Sequence, residues 1–81
     1  MKPQAPAPDP QKLVYDIMLG LTGGRAGKAI ELDTLFDAYE AVDDMYDVYE
    51  VDWAVEEWVR ANVLYRPSPD TCALVHDLEL D

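Results

Sequence analysis

His76 is the only histidine of the 81-residue chain and Cys72 the only cysteine, four positions apart near its end. Such a pair can share a metal, or work as nucleophile and base, only within bonding reach. The segment CALVH reads as a strand, where residues four apart share a face but lie roughly 13 Å from one another. Asp77 is adjacent to His76, and strand neighbours point to opposite faces. Cys72 is therefore expected to be a small buried hydrophobe and His76 an edge residue. Asp43, Asp44 and Asp47 offer a weak cation site at most, because the spaced ligands and Gly of a calcium loop are missing. GGRAGKA imitates half of a phosphate-binding loop. Thr22 holds the place of its first Gly, Ala29 that of its Ser or Thr, and a helix precedes it instead of a strand. It reads as a flexible connection carrying Arg25 and Lys28. No catalytic residue, cofactor or metal is expected, and the chain is read as a non-enzyme.

Charge is more informative. The formal net charge is -11, and residues 31–57 hold eleven acids with no Lys or Arg. The six acids elsewhere are matched by the six bases Lys2, Lys12, Arg25, Lys28, Arg60 and Arg66, so the whole surplus lies in one third of the chain. A surface adapted only for solubility spreads its acid more evenly. At 49% apolar residues the chain can form a core, though a small one. With one cysteine no internal disulfide forms, which permits a reducing compartment. No apolar run nears the roughly 20 residues of a membrane span, and MKPQAPAPDP lacks the apolar stretch of a secretory signal. An intracellular location, cytoplasmic or in the nucleoid or nucleus, is expected.

The elements that position these charges follow from capping and periodicity. Residues 1–8, with three prolines, read as a stiff linker or tail. Asp9 and Pro10 mark a helix start, Leu13, Val14, Ile17, Met18 and Leu21 repeat at helical spacing, and TGG at 22–24 stops it. AIEL at 29–32 reads as a short strand. Asp33 is expected to cap a second helix with Leu35, Phe36, Tyr39 and Val42 inward. Asp47 and Glu50 have capping-box spacing before a third helix over about 48–61, whose stripe is Val48, Val51, Val55, Trp58 and Val59. Asn62 suits the left-handed residue that ends it. VLYR and CALVH then form a hairpin with Pro67 and Pro69 at its tip, paired with the AIEL strand, and Tyr65 and Leu74 are candidates for its buried face. The fold class is α+β, mainly helical, in the order α-β-α-α-β-β with a three-stranded antiparallel sheet. The domain is expected over 9–78, with a tail at 79–81.

That order, with a tight turn between the second and third helices, resembles the winged-helix arrangement. Trp58 to Ala61, Asn62, Leu64-Tyr65 and Pro67-Ser68-Pro69 are similar to the close of winged-helix domains at the C-terminus of archaeal MCM helicases. The C-terminal domain of the replication protein A middle subunit, an acidic winged helix that works within a single-stranded DNA-binding protein complex, looks similar too. The resemblance covers residues 10–78 and implies a place in DNA replication or repair, with partners lying against the wing around Tyr65 and Arg66. Tyr49 and Trp53 stand where outward polar residues are usual in such domains.

A winged helix that reads DNA puts its third helix in the major groove and draws affinity from Lys and Arg on phosphates. Here that helix carries Asp47, Glu50, Asp52, Glu56 and Glu57, with Arg60 only at its end. Direct duplex binding is not expected. The favoured reading is an acidic protein-interaction module in replication, repair or transcription. Its anchors are Tyr46, Tyr49 and Trp53, with Glu50, Glu56 and Glu57 beside them, its partner has a basic or amphipathic helical surface, and the wing around Tyr65 and Arg66 is a second candidate face. In so small a domain one of Tyr49 and Trp53 is expected to be buried. One alternative is a small acidic viral or phage protein that blocks a nucleic-acid-binding partner. Another is DNA binding through Arg25, Lys28, Arg60 and Arg66. A homodimer through the aromatic helix is a further possibility, and no membrane partner is expected.

Overall fold

The computed structural model describes residues 9–78. The expected linker or tail at 1–8 and the expected tail at 79–81 lie outside them. Three helices and a small sheet follow in chain order: α1 (Pro10–Thr22), β1 (Ile30–Glu31), α2 (Leu32–Val42), α3 (Val48–Arg60), β2 (Leu64–Tyr65) and β3 (Thr71–Leu74). The sheet is antiparallel throughout, with spatial order β1-β3-β2. The expected class, α+β and mainly helical, is what forms.

Local chemistry sets the ends of α1. The Asp9 carboxylate accepts from the Gln11 N–H at 3.1 Å, and Pro10 occupies the first turn, where its missing N–H leaves nothing unpaired. The helix stops at Gly23, which adopts φ 65°, a left-handed conformation that costs Gly nothing. Asn62 plays the same part after α3, at φ 63°. Its N–H reaches the Val59 carbonyl at 3.1 Å, and the Val63 N–H reaches that of Trp58 at 3.0 Å, which completes a Schellman motif.

The start of α2 departs from expectation. Asp33 lies inside the first turn, and the cap is Glu31, which makes no side-chain capping bond. The strand β1 runs directly into the helix, and the hairpin satisfies the first helical amide: the Leu32 N–H donates to the Asp70 carbonyl at 2.8 Å. Asp47 does cap α3, through the Tyr49 N–H at 2.8 Å.

The core joins all six elements. Val14 and Met18 of α1 meet Leu35 and Tyr39 of α2, Val51, Ala54 and Val55 of α3, Ile30, Leu64, Cys72 and Leu74 of the sheet. Helix α1 packs against both other helices and against β1 and β3, so it is the common support. Trp58 closes one side: its indole N–H donates to the Gln11 carbonyl at 2.7 Å, and its ring lies 5.2 Å from that of Tyr15. Three apolar assignments are corrected. Val42 is exposed because α2 ends there, past the last inward position at Tyr39. Val48 is exposed because it sits in the first turn of α3, beyond the cover that Val51 and Val55 receive. Tyr65 is exposed, and Leu64 is the inward residue of β2.

The segment 23–29 is not a loose connection. The Gly27 N–H donates to the Leu74 carbonyl at 3.1 Å, the Ala26 N–H to the Asp77 carboxylate at 2.7 Å, and the Leu78 N–H to the Gly24 carbonyl at 2.7 Å. It lies along β3 with Ala26 bridged to Leu74. The Tyr65 hydroxyl would sit 3.9 Å from a Cβ at Gly27. Tyr65 pairs with Ala73 across the strands, so its ring crosses β3 on the side away from the helices and seals Ala73 completely.

A candidate protein-interaction surface on the third helix

With about 100° of rotation per residue, the buried Val51, Ala54 and Val55 and the half-buried Trp58 define one side of α3. Tyr49, Trp53 and Arg60 fall on the opposite side. Asp52 and Glu56 flank that ridge on one hand, Glu50 and Glu57 on the other. Both ridge aromatics are exposed, Tyr49 at 82% and Trp53 at 51%. The expectation that the small core would claim one of them is corrected: Val51, Ala54 and Val55 fill the inward positions, and both rings lie on the far side. An exposed Trp and Tyr side by side, framed by carboxylates, offer flat apolar area with anionic edges.

Tyr46 does not join them. It precedes α3, is half-buried, and packs on Tyr39 with ring centroids 5.5 Å apart. Tyr39 itself is buried, and its hydroxyl pKa is raised, first by burial and then by the negative charge of Asp43, Glu50 and Asp9. Tyr46 therefore fixes the α2–α3 corner and offers at most an edge to a partner.

The four candidate DNA contacts do not act as one group. Arg66 reaches back from the hairpin, pairing with the Glu56 carboxylate and donating to the Pro69 carbonyl at 2.6 Å. Arg60 pairs with Glu57 at 3.4 Å. Two of the four cations are thus committed to carboxylates of α3. Arg25 and Lys28 are exposed on the segment along the other edge of β3. That segment is not a phosphate cradle. The Gly24 N–H is used by the Thr22 hydroxyl, Arg25 by the Thr22 carbonyl, Ala26 by Asp77 and Gly27 by Leu74, so four successive amides already have partners.

Cys72 is fully buried, its sulfur 3.6 Å from that of Met18, and burial pushes its thiol up to about 11, with Arg66 opposing. His76 is exposed. Among the described residues no group of three or more His, Cys, Asp or Glu is placed to hold a metal, and no helix is long and apolar enough to cross a membrane. A shallow depression lies on the first turns of α1, lined by Asp9, Lys12, Leu13 and Asp16.

Sequence reasoning missed three exposed apolar side chains at or next to the α2–α3 corner: Met45 at 88%, Val48 and Val42. Met45 carried a signal in its position, an apolar residue inside a run of acids. Val42 and Val48 did not, since each continued a helical stripe. Comparison with protein-family models, with curated proteins and with solved structures finds no match to this chain.

Proposed function

We propose that this chain is a winged-helix protein-interaction module that binds a basic, amphipathic partner surface in DNA replication, repair or transcription. It acts without catalysis. The order α-β-α-α-β-β and the hairpin that folds back against α3 support the winged-helix reading. The observation that carries the functional reading is the outward face of α3, where Tyr49 and Trp53 stand exposed between Asp52, Glu56, Glu50 and Glu57. A groove reader needs cations on that face, and here its one basic residue, Arg60, is tied to Glu57. Aromatic area anchors a partner, and the surrounding carboxylates steer its Lys and Arg side chains.

The test has two arms. Fluorescence anisotropy with duplex DNA at about 50 and 200 mM salt is expected to show weak binding throughout; tight binding with a steep salt slope overturns the reading. In the second arm, Trp53→Ala is expected to abolish capture of the physiological partner while the circular dichroism stays near native. Retained capture, or an unfolded variant, removes Trp53 as the anchor. Displacement of the partner by added DNA assigns the chain to blocking a nucleic-acid site instead of recruiting.

A further inference from the structure

Among the described residues, five of the six exposed large apolar side chains fall between residues 42 and 53: Val42, Met45, Val48, Tyr49 and Trp53. The same span holds Asp43, Asp44, Asp47, Glu50 and Asp52. The ion pairs of the described residues are Lys12–Asp16, Arg60–Glu57 and Arg66–Glu56, so none of those five carboxylates has a cationic partner among the described residues. Asp43 and Asp47 each accept a local amide, from Met45 and Tyr49. The interaction surface is therefore not uniform along α3. Its C-terminal end, at Glu56 and Glu57, is already neutralised from within. Its N-terminal end, at the α2–α3 corner, combines unpaired anions with the most exposed apolar side chains.

We propose that the α2–α3 corner is where a partner's cations are seated: a Lys- or Arg-bearing amphipathic helix of another protein lays its apolar seam on Met45, Tyr49 and Trp53, with its cations against Asp44, Asp47, Glu50 and Asp52. This rests on the interaction-module reading and says which end of the surface does the selecting. A second copy of the chain is a poor occupant, because it would bring the same unpaired anions to the same place. An anionic lipid surface is repelled for the same reason.

The probe is a short amphipathic helical peptide of Leu and Lys, titrated into the intact protein, with affinity read by peptide anisotropy and position by amide chemical shifts. Single charge reversals compare the two ends. Asp44→Lys and Asp52→Lys are each expected to weaken binding about fivefold, a contact-range charge effect partly screened by salt. Met45→Ser is expected to weaken it by a similar factor, and Glu57→Lys by less than about twofold, since Glu57 is already paired with Arg60 and lies about a screening length along the helix from Glu50. Asp44 and Met45 are exposed corner residues, and unchanged circular dichroism verifies that the variants fold. If Glu57→Lys costs as much as Asp44→Lys, the cations sit elsewhere and the corner assignment falls while the module reading stands. If no charge variant weakens binding, the contact is purely apolar and the assignment falls as well. If the unmodified protein does not bind the peptide, both readings fall.

Discussion

The contact between Arg66 and Glu56 ties the hairpin to α3, and a double-mutant cycle can weigh it. The two side chains are 28% and 42% exposed, between the fully exposed and fully buried regimes. Exposed ion pairs contribute about 0.2–1 kcal/mol, and hydrogen bonds to charged groups about 1.5–3 kcal/mol when sheltered. The Arg66 Nε is buried without a partner, which subtracts from the gain. A coupling energy of about 1 kcal/mol follows. Glu56→Gln, Arg66→Gln and the double variant are compared by urea denaturation followed by circular dichroism. Glu56→Gln alone should lower the melting temperature by about 4–8 °C, the usual shift per kcal/mol in a domain of this size. Arg66 keeps its bond to the Pro69 carbonyl in that variant, so the hairpin stays folded. A coupling below about 0.3 kcal/mol would refute the reasoning, and Arg66 would have to be counted as a cation available to ligands.

Other outcomes follow from the same structure. Trp58→Ala should destabilise by about 2–3 kcal/mol, less than a fully buried Trp, whereas Trp53→Ala should cost under about 1.5 kcal/mol; thermal melts of the two variants distinguish them. Asn62→Ala should cost about 1 kcal/mol, because an alanine must take the φ of 63°, and Asn62→Gly should be close to neutral, both read by denaturant midpoints. The thiol of Cys72 is raised from an ordinary 9.0 to about 11, so folding holds its proton. Its contribution is fully present below about pH 9 and is lost as pH rises through 11; Tyr39, also raised, acts in the same direction above its ordinary 10.0. Stability measured from pH 8 to 11 should therefore fall, less so in Cys72→Ala, and a thiol reagent at pH 8 should react with Cys72 only on the unfolding timescale.

Features set by single residues were legible in the sequence. Asp9, Pro10, Gly23 and Asn62 each act through their own backbone or side chain, and the structure places all four in the expected roles. The pairing of the AIEL strand with the hairpin was legible for a similar reason, since no other strand was on offer. What failed depended on distant groups. The choice of Tyr65 over Leu64 was a one-residue error in strand phase, which inverts every side chain and which a two-residue strand cannot correct by pattern. Val42 and Val48 continued apolar stripes, and only the ends of the covering elements decide that they emerge. Asp33 looked like a cap because the hairpin carbonyl of Asp70, which takes the Leu32 amide from 38 positions further along the chain, cannot be seen from the helix. The charge of α3 was legible, but which of its carboxylates are occupied was not, because the hairpin brings Arg66 to Glu56 only in the folded chain.

The aromatic ring laid across β3 makes positions 27, 65 and 73 a single steric unit. A larger side chain at 73 would lift the ring, and a smaller one at 65 would uncover both the strand and the glycine beyond it. In any divergent copy of this chain the three positions should change in concert, so sequence covariation among them would mark a descendant of the same fold long after its acidic face had been rewritten.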